Sequence, residues 1–200
     1  MPSVRLAGTP GALESSVKRP LTLALVLASC LAPLDCATLQ QLSMNDLIVK
    51  STAIVHGKIT GSSAAFTNKI IYTHYTVLVS ERFKGPAQTS IDVVVPGGTA
   101  GNLRQTFSGT PTFHVGDDYV FFLWTSRAGL TQVLGLTQGL FAVAQDGSAD
   151  PMTTRTASHE PMLSATSSQQ VKDQTVSMKL SQLRALIAST LGTPSPGGNH

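Results

Sequence analysis

Six consecutive apolar residues, YVFFLW at 119–124, constrain the fold of this 200-residue chain more than any other stretch. Successive side chains of a β-strand point to opposite faces of its sheet, so a strand that is apolar throughout must be covered on both faces. Closure of the sheet into a barrel, or a helix packed against the sheet, would provide that cover. The run therefore predicts a central strand with a core on each side.

Several further segments have the composition of β-strands. They are rich in β-branched and aromatic residues, and turn residues such as Lys84-Gly85-Pro86 and Pro96-Gly97-Gly98 separate them. Charged residues are scarce, at 12% of the chain, whereas threonine, serine, glycine and valine are plentiful, which is typical of β-structure. The strands predicted in addition to 119–124 are residues 53–61, 70–82, 91–95, 130–136 and 140–144.

Two segments flanking the strands have helical patterns. In residues 42–51, Ser43 and Asp46 have the spacing of a capping box ahead of an apolar run. Residues 178–191 place leucine and isoleucine along one stripe, and Gly192 follows as a typical helix end.

These patterns predict a mainly β fold: a small OB-like barrel of about six strands, with a short N-terminal helix and a C-terminal helix. The predicted division is a signal peptide at 1–36, a β-barrel domain at 37–146, a polar surface excursion at 147–176, the C-terminal helix at 177–192 and a disordered tail at 193–200.

The N-terminal segment has the build of a secretory signal. Lys18-Arg19-Pro20 precedes the uncharged residues 21–34, a run shorter than the roughly 20 residues that span a bilayer. Two cleavage sites stay open: Cys30, within a lipobox-like sequence that would add a lipid anchor, and a later site near Ala37. We therefore expect an extracytoplasmic protein that is periplasmic, secreted or lipid-anchored in the envelope.

Charge and cysteine usage exclude two further classes. Beyond the signal, eleven Lys and Arg residues accompany nine Asp and Glu residues, so the expected mature chain is almost neutral and lacks the basic stripe of a nucleic-acid-binding protein. Cys30 and Cys36 both lie within the predicted signal, so we expect no disulfide framework in the domain. The fold must then depend on its core.

The order of these segments resembles a family of uncharacterised exported bacterial proteins. The resemblance rests on LSMNDLIVKSTAIVHGKI at 42–59, VVVPGG at 93–98, GTPTFHVGDDYVFFL at 109–123 and GLTQGLFAV at 135–143. It implies a short helix, a small β-barrel and a closing leucine-rich helix, and it implies no activity. The strand pattern is distantly similar to OB-like barrels of metalloproteinase inhibitors, whose dense disulfides this chain lacks.

The segment between the predicted strands 91–95 and 119–124 is the candidate binding surface. Connections of more than twenty residues are uncommon in compact domains and are often functional. Its mixture of aromatic and polar residues suits contact with a partner, although the phenylalanines would equally plug one end of a barrel. The candidate contact residues are Arg104, Gln105, Phe107 and Phe113, with Gln138 expected nearby.

A metal site is the alternative. His56 and His74 fall on strands that are expected to be neighbours, and Asp117 or Asp118 would supply a third ligand. The other interpretation of these histidines is that they face solvent on their strands. No Gly-x-Ser-x-Gly motif and no cysteine in the domain points to a catalytic nucleophile.

Together these features predict a non-enzymatic binding or interaction module of the cell envelope. The alternatives are a metal-binding protein or metal-dependent envelope hydrolase that uses the strand histidines, and a module similar to a protease inhibitor. We expect no cofactor, no nucleic-acid partner, and membrane association only through a lipid on Cys30. The expected partner is another protein or an envelope component, and the sequence does not identify it.

Overall fold

The computed structural model describes residues 39–192. The predicted signal at 1–36, the lipidation site Cys30 and the tail at 193–200 lie outside the described residues. The alternative cleavage site near Ala37 and the first two residues of the predicted barrel domain, 37–38, also lie outside them.

The described chain is mainly β, with one helix near each end, as the sequence predicts. The helices are α1 (Met44–Lys50) and α2 (Leu180–Gly192). The strands are β1 (Leu39–Gln40), β2 (Ala53–Thr67), β3 (Ile70–Lys84), β4 (Ser90–Pro96), β5 (Gly98–Ala100), β6 (Leu103–Gln105), β7 (Asp118–Thr125), β8 (Thr131–Val133), β9 (Leu140–Val143), β10 (Met152–Arg155), β11 (Met162–Leu163), β12 (Gln170–Val171) and β13 (Val176–Lys179).

Helix α1 begins with the predicted capping box. The Ser43 hydroxyl accepts a hydrogen bond from the Asp46 N–H at 3.1 Å, and the Asp46 carboxylate accepts one from the Ser43 N–H at 3.2 Å. These bonds satisfy backbone donors that a helix leaves free at its first turn. Hydrogen bonds from Lys50 and Ser43 hold the pKa of Asp46 below its usual range.

Eight strands form one antiparallel sheet. Its order is β13-β10-β9-β7-β2-β3-β4, and β8 pairs with β7 beside that path. Strands β5 and β6 form a separate hairpin, and β1, β11 and β12 form a small third sheet. The sheets are not closed into a barrel, so the OB-like closure stays a prediction.

The central strand β7 has a core on each face, as its composition requires. Phe121 and Leu123 point into an inner core made by the sheet, in which β4 packs near β8. Val120 and Phe122 point into an outer core between the other face and both helices. Trp124, the last residue of the apolar run, is 43% exposed.

The segment predicted as a loose polar excursion, 147–176, contains β10, β11 and β12. Its polar composition is misleading because three of its polar side chains, those of Thr153, Arg155 and Asp173, are buried. The Thr153 hydroxyl donates to the Met178 carbonyl at 2.9 Å, and the Arg155 guanidinium binds the Asp173 carboxylate at 2.8 Å. Because these buried polar groups are hydrogen-bonded, strand β10 can pair with β9 and extend the sheet.

Candidate binding pocket

The β5–β6 hairpin is the main structured part of the predicted binding segment, and it lies against β3. The Gly97 N–H donates to the Ile71 carbonyl at 2.7 Å, and the Thr73 hydroxyl donates to the Gly97 carbonyl at 2.7 Å. At Gly98, where φ is +128°, a Cβ atom would collide with the Thr73 hydroxyl and lie 3.3 Å from the Ala64 Cβ. Glycine therefore lets the chain pass closely over the sheet.

Gln105 fixes the other strand of this hairpin. Its Oε1 accepts a hydrogen bond from the Ile71 N–H at 2.7 Å, and its Nε2 donates to the Lys69 carbonyl at 3.0 Å. Both side-chain groups are occupied within the fold. Gln105 was predicted to contact a partner; it lines the pocket under this hairpin, and its hydrogen bonds position the hairpin at the start of β3.

A pocket of about 280 Å³ lies between the hairpin, the segment that follows it and the sheet. The lining includes Arg104 and Phe107, which is 42% exposed, and six of the fourteen lining residues carry a hydroxyl group. The hydroxyl-bearing residues of the lining are Thr73, Tyr75, Thr99, Thr106, Thr110 and Thr112.

Arg104 is the cation of this pocket. It is exposed, and no carboxylate or carbonyl of residues 39–192 binds its guanidinium. A guanidinium presents five N–H donors in a planar fork, which matches the two oxygens of a carboxylate or phosphate. The pocket therefore offers an unpaired cation beside neutral hydroxyls and one aromatic ring.

The two phenylalanines of the segment have different positions. Phe113 is buried in the inner core, where its ring makes edge contacts with Tyr75 at 5.0 Å and Phe121 at 5.8 Å between centroids. Phe107 stays at the surface in the pocket lining. Phe113 therefore fills the core, as the plug interpretation expects. Phe107 is the phenylalanine that is placed to contact a partner.

Gln138 does not line this pocket. It is buried, its Oε1 accepts from the Leu42 N–H at 2.7 Å, and its Nε2 donates to the Gln40 carbonyl at 3.0 Å. These bonds attach the segment before α1 to the turn before β9. Gln138 was predicted to lie near the binding surface, and the structure gives it this structural role instead.

The structure brings two of the predicted metal ligands, His56 and Asp118, to within 2.9 Å of each other, but it does not bring His74 to them. His74 lies opposite Ser63 in the β2–β3 register, seven positions from His56 and thus roughly 20 Å away along the strand. The His74 ring binds Asp92 at 2.7 Å, and Asp117 accepts the N–H of His114 at 2.7 Å. Within residues 39–192, no group of three His, Cys, Asp or Glu side chains is arranged to hold a metal ion.

His56 also belongs to a row of ionisable side chains beside the outer core. Its Nε2 lies 2.9 Å from Asp118 Oδ1, but the two atoms are not aligned as a hydrogen bond, and neither has another hydrogen-bond partner among the described residues. Opposite His56 on β3, Glu81 accepts two hydrogen bonds from Arg184 of α2, at 2.7 and 2.8 Å. Sequence reasoning missed the Glu81–Arg184 pair, because nothing local links residues so distant in the chain.

The Glu81–Arg184 pair predicts an acid-sensitive contribution to stability. The hydrogen bonds from Arg184 lower the pKa of Glu81, so the carboxylate is more stable in the folded state than in the unfolded one. This contribution is present at neutral pH and is lost as pH falls through the lowered pKa. We expect Glu81→Gln to destabilise the protein at about pH 7 and to have a much smaller effect at about pH 3, as measured by urea unfolding. An equal effect at both pH values would contradict a role for the charge.

A second cavity, of about 490 Å³, lies in the segment 158–173. Asp173, which pairs with Arg155, and Glu160 are among its lining residues. Glu160 also accepts a hydrogen bond from the Ser108 hydroxyl at 2.7 Å. This bond ties the segment after the β5–β6 hairpin to the region of the second cavity.

No protein-family model, curated protein or solved structure matches the chain. Its class is therefore defined by the fold and the pocket: a mainly β protein with two covering helices and a small hydroxyl-rich pocket under a hairpin. Between residues 39 and 192, no helix is long and apolar enough to cross a membrane.

Proposed function

We propose that this protein is an exported, non-enzymatic binding module whose hairpin pocket holds an acidic group of an envelope component or of another exported protein. The observation that carries this proposal is the unpaired Arg104 beside the exposed Phe107 ring in a hydroxyl-rich pocket. The signal-like sequence before residue 37 supports export.

The size of the pocket limits what it holds. Pockets for whole small ligands usually enclose about 300–1,000 Å³, and this one, at about 280 Å³, falls just below that range. It therefore suits one acidic side chain, or one acidic sugar ring, of a larger partner. Arg104 would bind the acidic group, the threonine hydroxyls would bind neutral polar groups, and Phe107 would pack against an apolar face.

We also propose that the fold is an OB-like barrel. Packing of β4 near β8 in the inner core supports it, as does Phe113, whose ring contacts both β3 and β7 from the segment that precedes β7. Loops at one end of such folds commonly bind extended ligands.

Site-specific cross-linking in the native host tests the pocket. A photoreactive phenylalanine analogue at Phe107 is expected to form a discrete adduct, and Arg104→Gln in the same chain is expected to reduce its yield at least tenfold. Arg104 is exposed and unpaired within the described structure, so this substitution should change the free energy of unfolding by no more than about 0.5 kcal/mol.

Two matched controls make the result specific. Trp124 is 43% exposed, close to the 42% of Phe107, so the same analogue at position 124 controls for general surface reactivity. Arg127→Gln removes another exposed cation and should leave the adduct at 107 unchanged. Absence of an adduct at 107, or a yield that does not depend on Arg104, would contradict the proposed binding site.

A further inference from the structure

Part of strand β2 has a free edge. Strand β7 pairs with β2 from Ala53 to Lys58. The last backbone hydrogen bonds on this side of β2 are those of Ile59, whose N–H donates to the Asp117 carbonyl at 2.9 Å. Over Gly61–Thr67, β3 is the one strand of the described structure that pairs with β2. We call residues 61–67 the free edge segment.

The free edge segment has none of the usual protection. In an antiparallel pair, every second residue turns its backbone N–H and C=O away from the neighbouring strand, and natural proteins guard such groups with lysine, proline or a bulge. The segment reads GSSAAFT, without charge or proline, and the irregularity in β2 falls before it, between Ile59 and Gly61. Phe66 within it is 48% exposed. An edge of this kind is a template on which another strand can pair.

We propose that the free edge segment pairs with the same segment of a second copy of this chain. The two strands would run antiparallel about a twofold axis at Ala64, which places Ser63 opposite Ala65 and Ser62 opposite Phe66 of the other copy. The side chains are small near the axis, so the backbones approach without obstruction. The sheet then continues from one copy into the other through an isologous interface.

Charge at the ends of the segment favours a second copy. In this register the paired segment of one copy ends near Gly116 and Asp117 of the other copy, which occupy the edge at Ile59. The β2–β3 turn that carries the exposed Lys69 then comes close to the partly exposed carboxylate of Asp117. The twofold axis repeats this pair of opposite charges. Lys58, the other cation near the segment, already lies opposite Asp118 in the β2–β7 register.

The arrangement has a consequence for binding that rests on the proposed function. Directly opposite residues of paired strands share one face of the sheet, so both copies would present the same face on the same side. The β5–β6 hairpin lies on the face that carries Ala64, next to the proposed axis. Two pockets would then face one partner, and a repetitive envelope polymer would be held by both at once.

Sedimentation velocity on ligand-free protein purified from its host tests the pairing independently of the pocket. We expect a reversible monomer–dimer equilibrium between roughly 10 and 500 µM, since a seven-residue strand pair buries less area than a standard interface. Ser63→Lys/Ala65→Lys sets like charges directly opposite and should weaken the dimer at least tenfold. Ser63→Glu/Ala65→Glu should do the same.

Mixing these two variants separates pairing from misfolding. In the mixture each lysine faces a glutamate, so a heterodimer should form at least as tightly as the dimer of the unchanged protein. Thr76→Lys/Leu78→Lys adds the same charge at exposed positions of β3, which β2 and β4 flank, and should leave the dimer intact. A monomer at every concentration, a dimer that both charged variants retain, or a mixture that stays monomeric would each overturn the proposal.

Discussion

Phe122→Ala is expected to lower the free energy of unfolding by about 3–5 kcal/mol in urea titrations. Phe122 is fully buried in the outer core, where its ring lies 5.6 Å from that of Phe141 and beneath Leu183 and Ile187 of α2. Truncation removes apolar contacts and leaves a cavity between sheet and helix that rigid neighbours fill poorly.

An exposed apolar residue of the same sheet is the control for this substitution. Leu78 on β3 is largely exposed, so Leu78→Ala should cost less than about 1 kcal/mol. A loss below about 1 kcal/mol for Phe122→Ala would show that β7 does not pack between two cores.

Asp173→Ala is expected to destabilise by a similar amount, about 3–5 kcal/mol, because it leaves a buried cation without its partner. The side chains of Arg155 and Asp173 are 8% and 1% exposed, and they meet at 2.8 Å. The second Asp173 oxygen accepts the Ser158 N–H at 2.8 Å, so the same substitution also leaves a backbone donor unpaired. Equilibrium unfolding in urea measures the loss.

Replacing both charges tests whether the isolated charge is the cause. Arg155→Met/Asp173→Leu substitutes an apolar pair of similar bulk and should recover most of the stability that Asp173→Ala loses. A double variant that is no more stable than Asp173→Ala, or a cost below about 1 kcal/mol for the single variant, would contradict this account of how β10 is held in the sheet.

The strongest sequence predictions concerned local patterns. The capping box of Ser43 and Asp46 and the two-sided burial of β7 follow from the spacing of neighbouring residues, and both are present. Helix α2 likewise buries Leu183 and Ile187 of the predicted stripe, although Leu191 is exposed. In each case the residues that decide the structure lie within a few positions of one another. Helix α2 begins at Leu180 and not at 177, because residues 177–179 pair with β10 as part of β13.

The sequence was a poor guide to side chains whose interaction partners are distant in the chain. Gln105 and Gln138 are polar residues in predicted loops, and polar loop residues usually lie at the surface. Instead, each binds backbone groups of distant residues. The partners of Gln105 are 34 and 36 positions away, and those of Gln138 are 96 and 98 positions away. Arg155 made its segment appear too polar to join the sheet, because the sequence does not show that Asp173 neutralises it. The distance between His56 and His74 depends in the same way on the register between β2 and β3, which cannot be read from the sequence of either strand alone.

Export is the claim on which the functional proposals depend, since it sets which partners the pocket meets. The most direct test is the intact mass of the protein from its native host, with cytoplasmic, membrane and extracytoplasmic fractions kept apart. The account predicts a shortened chain outside the cytoplasm, either unmodified and beginning near Ala37 or beginning at Cys30 with a diacylglyceryl group. A chain that keeps residues 1–36 and stays in the cytoplasm would contradict it.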